Sequence, residues 1–586
     1  MTTTDLHMHL TGYDYVADRP GRHHGLAGLA HLVEDARAEA AAEGALCLFC
    51  DNGDLLQGNA LGARLARTPV DDAHPVVRSV RHLGYDALGL GNHDLDYGLA
   101  YPREIARALG VPVISSNLEG GGVSPIRAAA ILDRALPGGG GTLRVGLLSV
   151  MPGHLSLWNR SLLDADARVT TPLSCLSAAV PRLRAAGADI VILLAHLGID
   201  ADTAGQRGDT ALALARVAGI DAIVAGHTHR RFPDPAFPAT GGVDRLAGTL
   251  GGVPTVMAGH NGSDLGLLDL ELARTGPGGG WRVLSHRATL RTNPQDTPPH
   301  RAVEGAVAGI HEGLRADLAQ PLGRLGRDLH GYFALAAPTG TAALSAAVKA
   351  AWAQAAIAGR PEAALPLLAC ASAVGAAGPE GPEGVVSLPA GPFLRRTTGA
   401  LDPYRNPLCL AVLDGAALRR RLEHAARVYA DPVADGTGPL QNDRVPAFNF
   451  ETIYGLTYRF DLRAPPGRRL RDLCHDGAPI RDGQQFLLAM NLFRAYGGGG
   501  YDMVPPSRVL ATGPRGPEDA WTAALGGDTL DRWLDTPPWC LDSEGEVRAT
   551  LRTSPAAASK LDEIAGMAPR LLGIDDDGFA RIALRF

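Results

Sequence analysis

Five short polar motifs in the first 230 or so residues each end an apolar run of strand length: Asp5-Leu6-His7, Asp51-Asn52-Gly53-Asp54, Gly91-Asn92-His93-Asp94, Ala195-His196 and Gly226-His227-Thr228-His229. Runs such as Ile190–Leu194 are apolar at every position, as expected of a strand buried on both faces of a parallel sheet. Strands are expected at Thr3–Leu6, Ala45–Cys50, Ala87–Leu90, Val111–Ser115, Leu143–Val150, Ile190–Leu194, Ala222–Ala225, Thr255–Ala258 and Leu265–Leu272. Helical spacing falls between them at Gly25–Ala42, Pro75–Leu83, Leu99–Leu109, Pro172–Ala186 and Asp209–Val217. This alternation predicts an α/β layout with the polar motifs gathered at strand C-terminal ends, where open α/β sheets hold ligands.

At 586 residues the chain is too long for one core. Arg291–Pro299 is polar and Pro-rich and reads as a linker, and helical spacing follows from about Ala302 to Ala319. Beyond it, helices are expected near Ala342–Ala358 and Gly415–Val428, and strands at Leu456–Leu462 and Phe486–Met490. Gly138–Gly141, Gly276–Gly280 and Glu380–Gly384 read as loops. A net charge of −7 leaves no basic field for a nucleic-acid polymer. A small anionic substrate stays possible, because bound dications dominate a local field. No apolar stretch approaches a membrane span. The seven cysteines are scattered, and the Cys47/Cys50 pair has no second pair to complete a zinc site. That argues against a disulfide framework and for a reducing compartment. No signal peptide precedes Asp5, so a cytoplasmic location is expected, or a periplasmic one if a leader has been removed.

The motifs supply ligands for two metal ions. Asp5 and His7, two residues apart at the end of a strand, are expected to point to one face. Asp54 follows a glycine turn, and its two oxygens can bridge two ions. Asn92 offers an amide oxygen, and His196, His227 and His229 offer imidazole nitrogens. Mixed N and O ligands without thiolate suit Mn, Fe(II), Co or Zn. Two metals about 3.5–4 Å apart are the usual machinery for in-line displacement at phosphorus. His93 follows Asn92 and can reach a substrate, and Asp96 is near enough to orient its imidazole.

Together these residues resemble the calcineurin-like metallophosphoesterases, and within them the 5′-nucleotidase superfamily. Thr3-Thr4-Asp5-Leu6-His7, Tyr13-Asp14-Tyr15, Asp51 to Gly58, Phe448 to Gly455 and Asn491 to Gly498 are similar to the bifunctional 2′,3′-cyclic-nucleotide 2′-phosphodiesterase/3′-nucleotidases. The resemblance covers nearly the whole chain and implies a four-layer α/β/β/α metallophosphoesterase domain over residues 1–293. It further implies a linker and connecting helix over 294–322, and an α/β nucleotide-binding domain of the 5′-nucleotidase type over 323–586. It assigns one metal to Asp5, His7, Asp54 and His229, the other to Asp54, Asn92, His196 and His227, and a catalytic dyad to His93 and Asp96. Asn92 and His93 would also meet the substrate, and Tyr404 and Tyr496 would sandwich the base. Read from the residues alone, the alternative for both tyrosines is an ordinary packing role. The implied partner is a small nucleotide.

Three features depart from the family pattern: the missing leader, the segment Ala371–Gly378 where an aromatic and Gly-Gly pattern is usual, and Asp96 where relatives can carry Asn. A 5′-nucleotidase or UDP-sugar hydrolase with the same metals is the nearest rival, but its Gly-Gly-x-Arg segment is not found. A non-catalytic nucleotide-binding protein on this fold is a further reading. The amidohydrolase barrel suggested by His7-Met8-His9 often needs a bridging lysine, and none occurs before Lys349.

Overall fold

The structure is a computed structural model of the chain. It describes every residue except 22–24, 140, 154–165, 200–208, 277–278, 296–297, 374–375, 377–380 and 432–437. Parts of the expected loops at 138–141, 276–280 and 380–384, of the linker at 291–299 and of the departing segment (Val374, Gly375, Ala377 and Gly378) therefore lie outside the described residues. The chain forms two compact units, Met1–Asp317 and Leu318–Phe586.

The first unit is built on two sheets. One is six-stranded, in the order Trp281–Thr292, Asp264–Arg274, Thr2–Thr3, Cys50–Asp51, Ala87–Gly89 and Val113–Ile114, and its last four strands are parallel. The other has eight strands, with Thr142–Val150, Ile190–Ala195, Ala222–Ala225 and Val253–Ala258 parallel at its centre. The two sheets meet face to face. Cys50, Ala87 and Ile114 from one share a core with Val145, Leu147, Leu194 and Val224 from the other.

The strand Ile190–Ala195 shows why its sequence reads apolar throughout. Ile190 and Leu194 point into the inter-sheet core, while Val191, Leu193 and Ala195 point outward to Leu176, Val180 and Leu183 of helix Pro172–Ala185. Each fully buried side chain of this size contributes roughly 1.5–3 kcal/mol. With both faces buried, a one-residue slip would exchange two differently shaped cores, so register is fixed by packing. Helices Gly25–Ala42, Pro75–Leu83 and Ala100–Leu109 bury their apolar stripes on the six-stranded side, completing helix, sheet, sheet and helix layers.

Several expectations are corrected. Only Cys50 and Asp51 of the run from Ala45 are strand, because the ladder with Thr2 and Thr3 reaches back no further than Cys50. Phe49 is held instead by the Asp86 carboxylate, 2.8 Å from its amide. Thr3–Leu6 is strand only through Thr3. The strands Ala130–Ala135 and Trp281–Thr292 were not expected, since interspersed Arg, Asp and His mask the alternation of an edge strand.

The second unit carries a five-stranded mixed sheet in the order Glu451–Tyr454, Leu367–Ser372, Gln485–Asn491, Pro407–Asp414 and Val509–Arg515. Alternation again sets two faces. Ala369 and Ala371 meet helix Gly340–Ile357, while Leu368 and Cys370 face the core that takes Leu418 and Leu422 of helix Gly415–Ala425. Smaller four-, three- and two-stranded sheets complete this unit.

Candidate metal centre

All five motifs follow parallel strands of the first unit. Asp5 and His7 come after Thr2–Thr3, Asp54 after Cys50–Asp51, Asn92 and His93 after Ala87–Gly89, His196 after Ile190–Ala195, and His227 and His229 after Ala222–Ala225. Parallel strands end on one edge, so seven candidate ligands are gathered by topology alone. Strand alternation does not aim Asp5 and His7, however. Both lie beyond the strand with left-handed backbone, φ 50° and 43°, and so do Asp54 (55°), His227 (69°) and His229 (59°). For residues other than glycine this conformation is strained by about 1–3 kcal/mol each, and it persists only where surrounding contacts over-determine it. Those contacts are present. The amides of Asp5 and His7 donate to the carbonyls of Gly53 and Asp54 at 3.0 and 2.8 Å, and the Asn261 amide donates to the Asp5 carbonyl at 2.8 Å.

Two groups of donor atoms lie within 4.8 Å of one another: Asp5, His7 and His229, and Asp54, His196 and His227. The groups adjoin, with His196 Nε2 3.0 Å from Asp54 Oδ2 and 3.7 Å from Asp5 Oδ1. Second contacts fix which ring nitrogen faces inward. His7 Nδ1 donates to the Gln57 carbonyl at 3.1 Å and His196 Nδ1 to the Asn52 carbonyl at 3.0 Å, so each turns Nε2 to the centre.

The residues fit a pair of dications. The Gln57 carbonyl holds the His7 proton on Nδ1, so His7 Nε2 turns its lone pair to His229 Nε2 at 3.0 Å, and one cation can take both nitrogens in place of that contact. Asn92 Oδ1 is buried with no hydrogen-bond partner, and a buried polar atom left so is costly unless an ion or water serves it. The electrostatics agree. Burial pushes the Asp54 carboxyl up, but the imidazoles of His196, His93 and His7 outweigh it and hold it well below the ordinary range. Burial, then His229, lowers His7 to about 3; burial, then His260, lowers His229 to about 3. Burial, then His196, lowers His227. These three imidazoles are neutral, as metal ligands must be. Burial alone would lower His196, but the carboxylates of Asp54 and Asp5 lift it to about 10. In the ion-free centre that proton supplies the positive charge the carboxylates need.

His93 sits at the rim, its side chain 26% exposed. Its amide donates to Asp54 Oδ1 at 2.7 Å, and its Nδ1 is 2.7 Å from Oδ2 of the buried Asp96. The structure thus brings together Asp5, His7, Asp54, His93, Asp96, His196, His227 and His229, with the Asn92 amide oxygen buried beside them. Tyr404 and Tyr496 belong to the second unit. Tyr404 is 45% exposed, in the turn after helix Thr398–Leu401, and Tyr496 ends helix Leu492–Ala495, half-buried against the larger core.

Sequence reasoning gave no role to Asp94, although it stands inside a quoted motif. Its carboxylate accepts the amides of Asp54 and Gly91 on Oδ2 and of Leu56 on Oδ1, all at 2.8 Å, and so ties the two ligand loops together. Gly91 passes so close that a Cβ there would stand 2.3 Å from Asp54 Oδ1. His260, for which the sequence holds no signal, stacks on His229 at 4.7 Å and 10°.

Comparison with known proteins agrees with this site. Residues 1–231 match the calcineurin-like phosphoesterase family and residues 336–506 the 5′-nucleotidase C-terminal domain. A 2′,3′-cyclic-nucleotide 2′-phosphodiesterase/3′-nucleotidase of Yersinia enterocolitica is 28% identical over 99% of this chain and 94% of its own length. The protein of that name from Salmonella typhimurium is 29% identical over 85% of this chain and 81% of its own. A trifunctional nucleotide phosphoesterase of Bacillus subtilis is 27% identical over 87% of this chain, which spans only 36% of that longer protein. The fold is that of a putative 5′-nucleotidase from Staphylococcus aureus, with a TM-score of 0.71 at 19% identity over 92% of this chain and 98% of that one. The chain thus carries a calcineurin-like phosphoesterase domain followed by a 5′-nucleotidase C-terminal domain.

Proposed function

We propose that this protein is a metal-dependent phosphoric ester hydrolase that opens 2′,3′-cyclic nucleotides to 3′-nucleotides and then hydrolyses these to nucleoside and phosphate. One observation carries the reading: neutral imidazoles, two carboxylates and an orphaned amide oxygen converge beside a His93–Asp96 pair at the rim. Asp5, His7, Asp54 and His229 would hold one dication and Asp54, Asn92, His196 and His227 the other, drawn from Mn, Zn, Fe(II) or Co. When bound, two such ions activate a water and offset charge on the phosphoryl oxygens.

The chain's own residues do the rest. Asp96 holds the His93 ring by Nδ1, which leaves Nε2 for the substrate. His93 stabilises the charge that develops as water adds to phosphorus and the bond to the ribose 2′-oxygen breaks, and that oxygen leaves with a proton. Left-handed backbone at five ligand positions, locked by the loop contacts, fixes the donors before substrate arrives. Tyr404 and Tyr496 stack on the base, a contact every base can make through its π-face.

The test is phosphate and 3′-AMP release from 2′,3′-cyclic AMP, 3′-AMP and 5′-AMP, side by side, with Mn²⁺ and then with EDTA. EDTA-sensitive turnover of the first two with little on 5′-AMP is expected. Preference for 5′-AMP would overturn the substrate assignment and direct attention to the segment around Ala371–Gly378.

A further inference from the structure

Away from that centre, three imidazoles and a carboxylate meet where three helices of the first unit converge. His31 and Glu34 are one turn apart on helix Gly25–Ala42, which puts them on one face. His82 is in the last turn of helix Pro75–Leu83, and His300 immediately precedes helix Arg301–Leu318. The His300 ring is 5.2 Å from that of His31 and 5.1 Å from that of His82, centroid to centroid. The Glu34 carboxylate stands 3.2 Å from His300 Nε2 and 3.9 Å from His31 Nδ1. His31 Nε2 donates to the Pro298 carbonyl at 3.1 Å, so in the neutral ring the Nδ1 lone pair is left for the Glu34 side.

Three imidazoles and a carboxylate are the N₃O donor types that take zinc in tetrahedral geometry, and here their rings and carboxylate are neighbours without yet converging on one point. We propose that His31, Glu34, His82 and His300 bind a dication of the zinc class, separate from the two ions of the phosphoesterase centre. Drawing the donors to bonding distance calls for side-chain rotation at His31, Glu34 and His82, whose side chains face solvent. Ligation through His300 Nε2 moves that ring's proton to Nδ1 and gives up the 3.3 Å contact from the Ala302 amide. That amide belongs to a first helical turn, where water serves equally well. The ion would fasten the start of helix Arg301–Leu318 to helices Gly25–Ala42 and Pro75–Leu83.

The experiment uses the untagged full chain, loaded with Zn²⁺ and freed of excess, and measures zinc per chain for the wild type and for His82→Gln and His31→Gln. Both variants should hold one zinc fewer than wild type with phosphate release unchanged. Cobalt substitution should show the intense visible bands of a tetrahedral site in wild type and lose them in His82→Gln. Equal zinc in all three proteins would overturn the proposal. Because the reading is a difference, it stands or fails independently of how many ions the phosphoesterase centre holds.

Discussion

Replacing Asp94 with Asn tests whether this carboxylate, rather than the ligands themselves, holds the two ligand loops in register. Burial and then the Asp54 carboxylate push Asp94 up to about 6, so above about pH 7 it is ionised and accepts three amides. Asn can keep its oxygen under the Asp54 and Gly91 amides, but its NH₂ then faces the Leu56 amide, donor against donor. The orphaned Leu56 N–H costs about 1–3 kcal/mol. Two charge-assisted bonds become neutral, at about 1 kcal/mol each. These losses sum to about 3–5 kcal/mol, from which the burial and Asp54 repulsion that a neutral Asn escapes subtract about 1.4 kcal/mol per unit of the raised pKa. Denaturant unfolding of the metal-free full chain should show the remainder, and metal content should fall because Asp54 and Asn92 sit on the loops set free. Unchanged stability together with unchanged metal content would refute the reasoning.

Other consequences are as specific. His93→Ala should lower kcat by roughly 10²–10⁴-fold with dication content unchanged, measured on 2′,3′-cyclic AMP; loss of metal would make His93 structural instead. Tyr404→Ala and Tyr496→Ala should each raise KM by about 5- to 150-fold, the equivalent of about 1–3 kcal/mol of stacking, with little change in kcat. Metal uptake should release protons. The His196 pKa is raised from its ordinary value to about 10, so its proton stabilises the ion-free fold fully below about pH 6.5 and is lost as pH rises through 10. Near pH 8, calorimetry in buffers of different ionisation enthalpy should therefore report release of about one proton per chain on loading. A heat independent of buffer would contradict the assignment.

Much of this architecture is legible in the chain itself because both faces of the central strands are buried. Ile190–Ala195 and Ala222–Ala225 leave no position for a polar residue until the strand ends, so His196 and Gly226-His227 mark those ends directly. Helix Gly25–Ala42 follows from apolar spacing alone. What the sequence conceals is backbone hand. The alternation argument for Asp5 and His7 assumed extended chain, whereas both turn left-handed and are aimed by hydrogen bonds to Gly53 and Asp54 nearly fifty residues away. The work of Asp94 is hidden for the same reason, since its three partners are main-chain amides that carry no sequence signature. His260 reaches His229 only through the return strand Val253–Ala258, a contact set by topology.

The central claim is a dinuclear centre bridged by Asp54, and anomalous diffraction from crystals grown with Mn²⁺ tests it most directly. Two peaks about 3.5–4 Å apart are expected, one beside Asp5, His7 and His229 and one beside Asn92, His196 and His227, with the Asp54 carboxylate between them. A single peak, or two on other residues, would contradict the account.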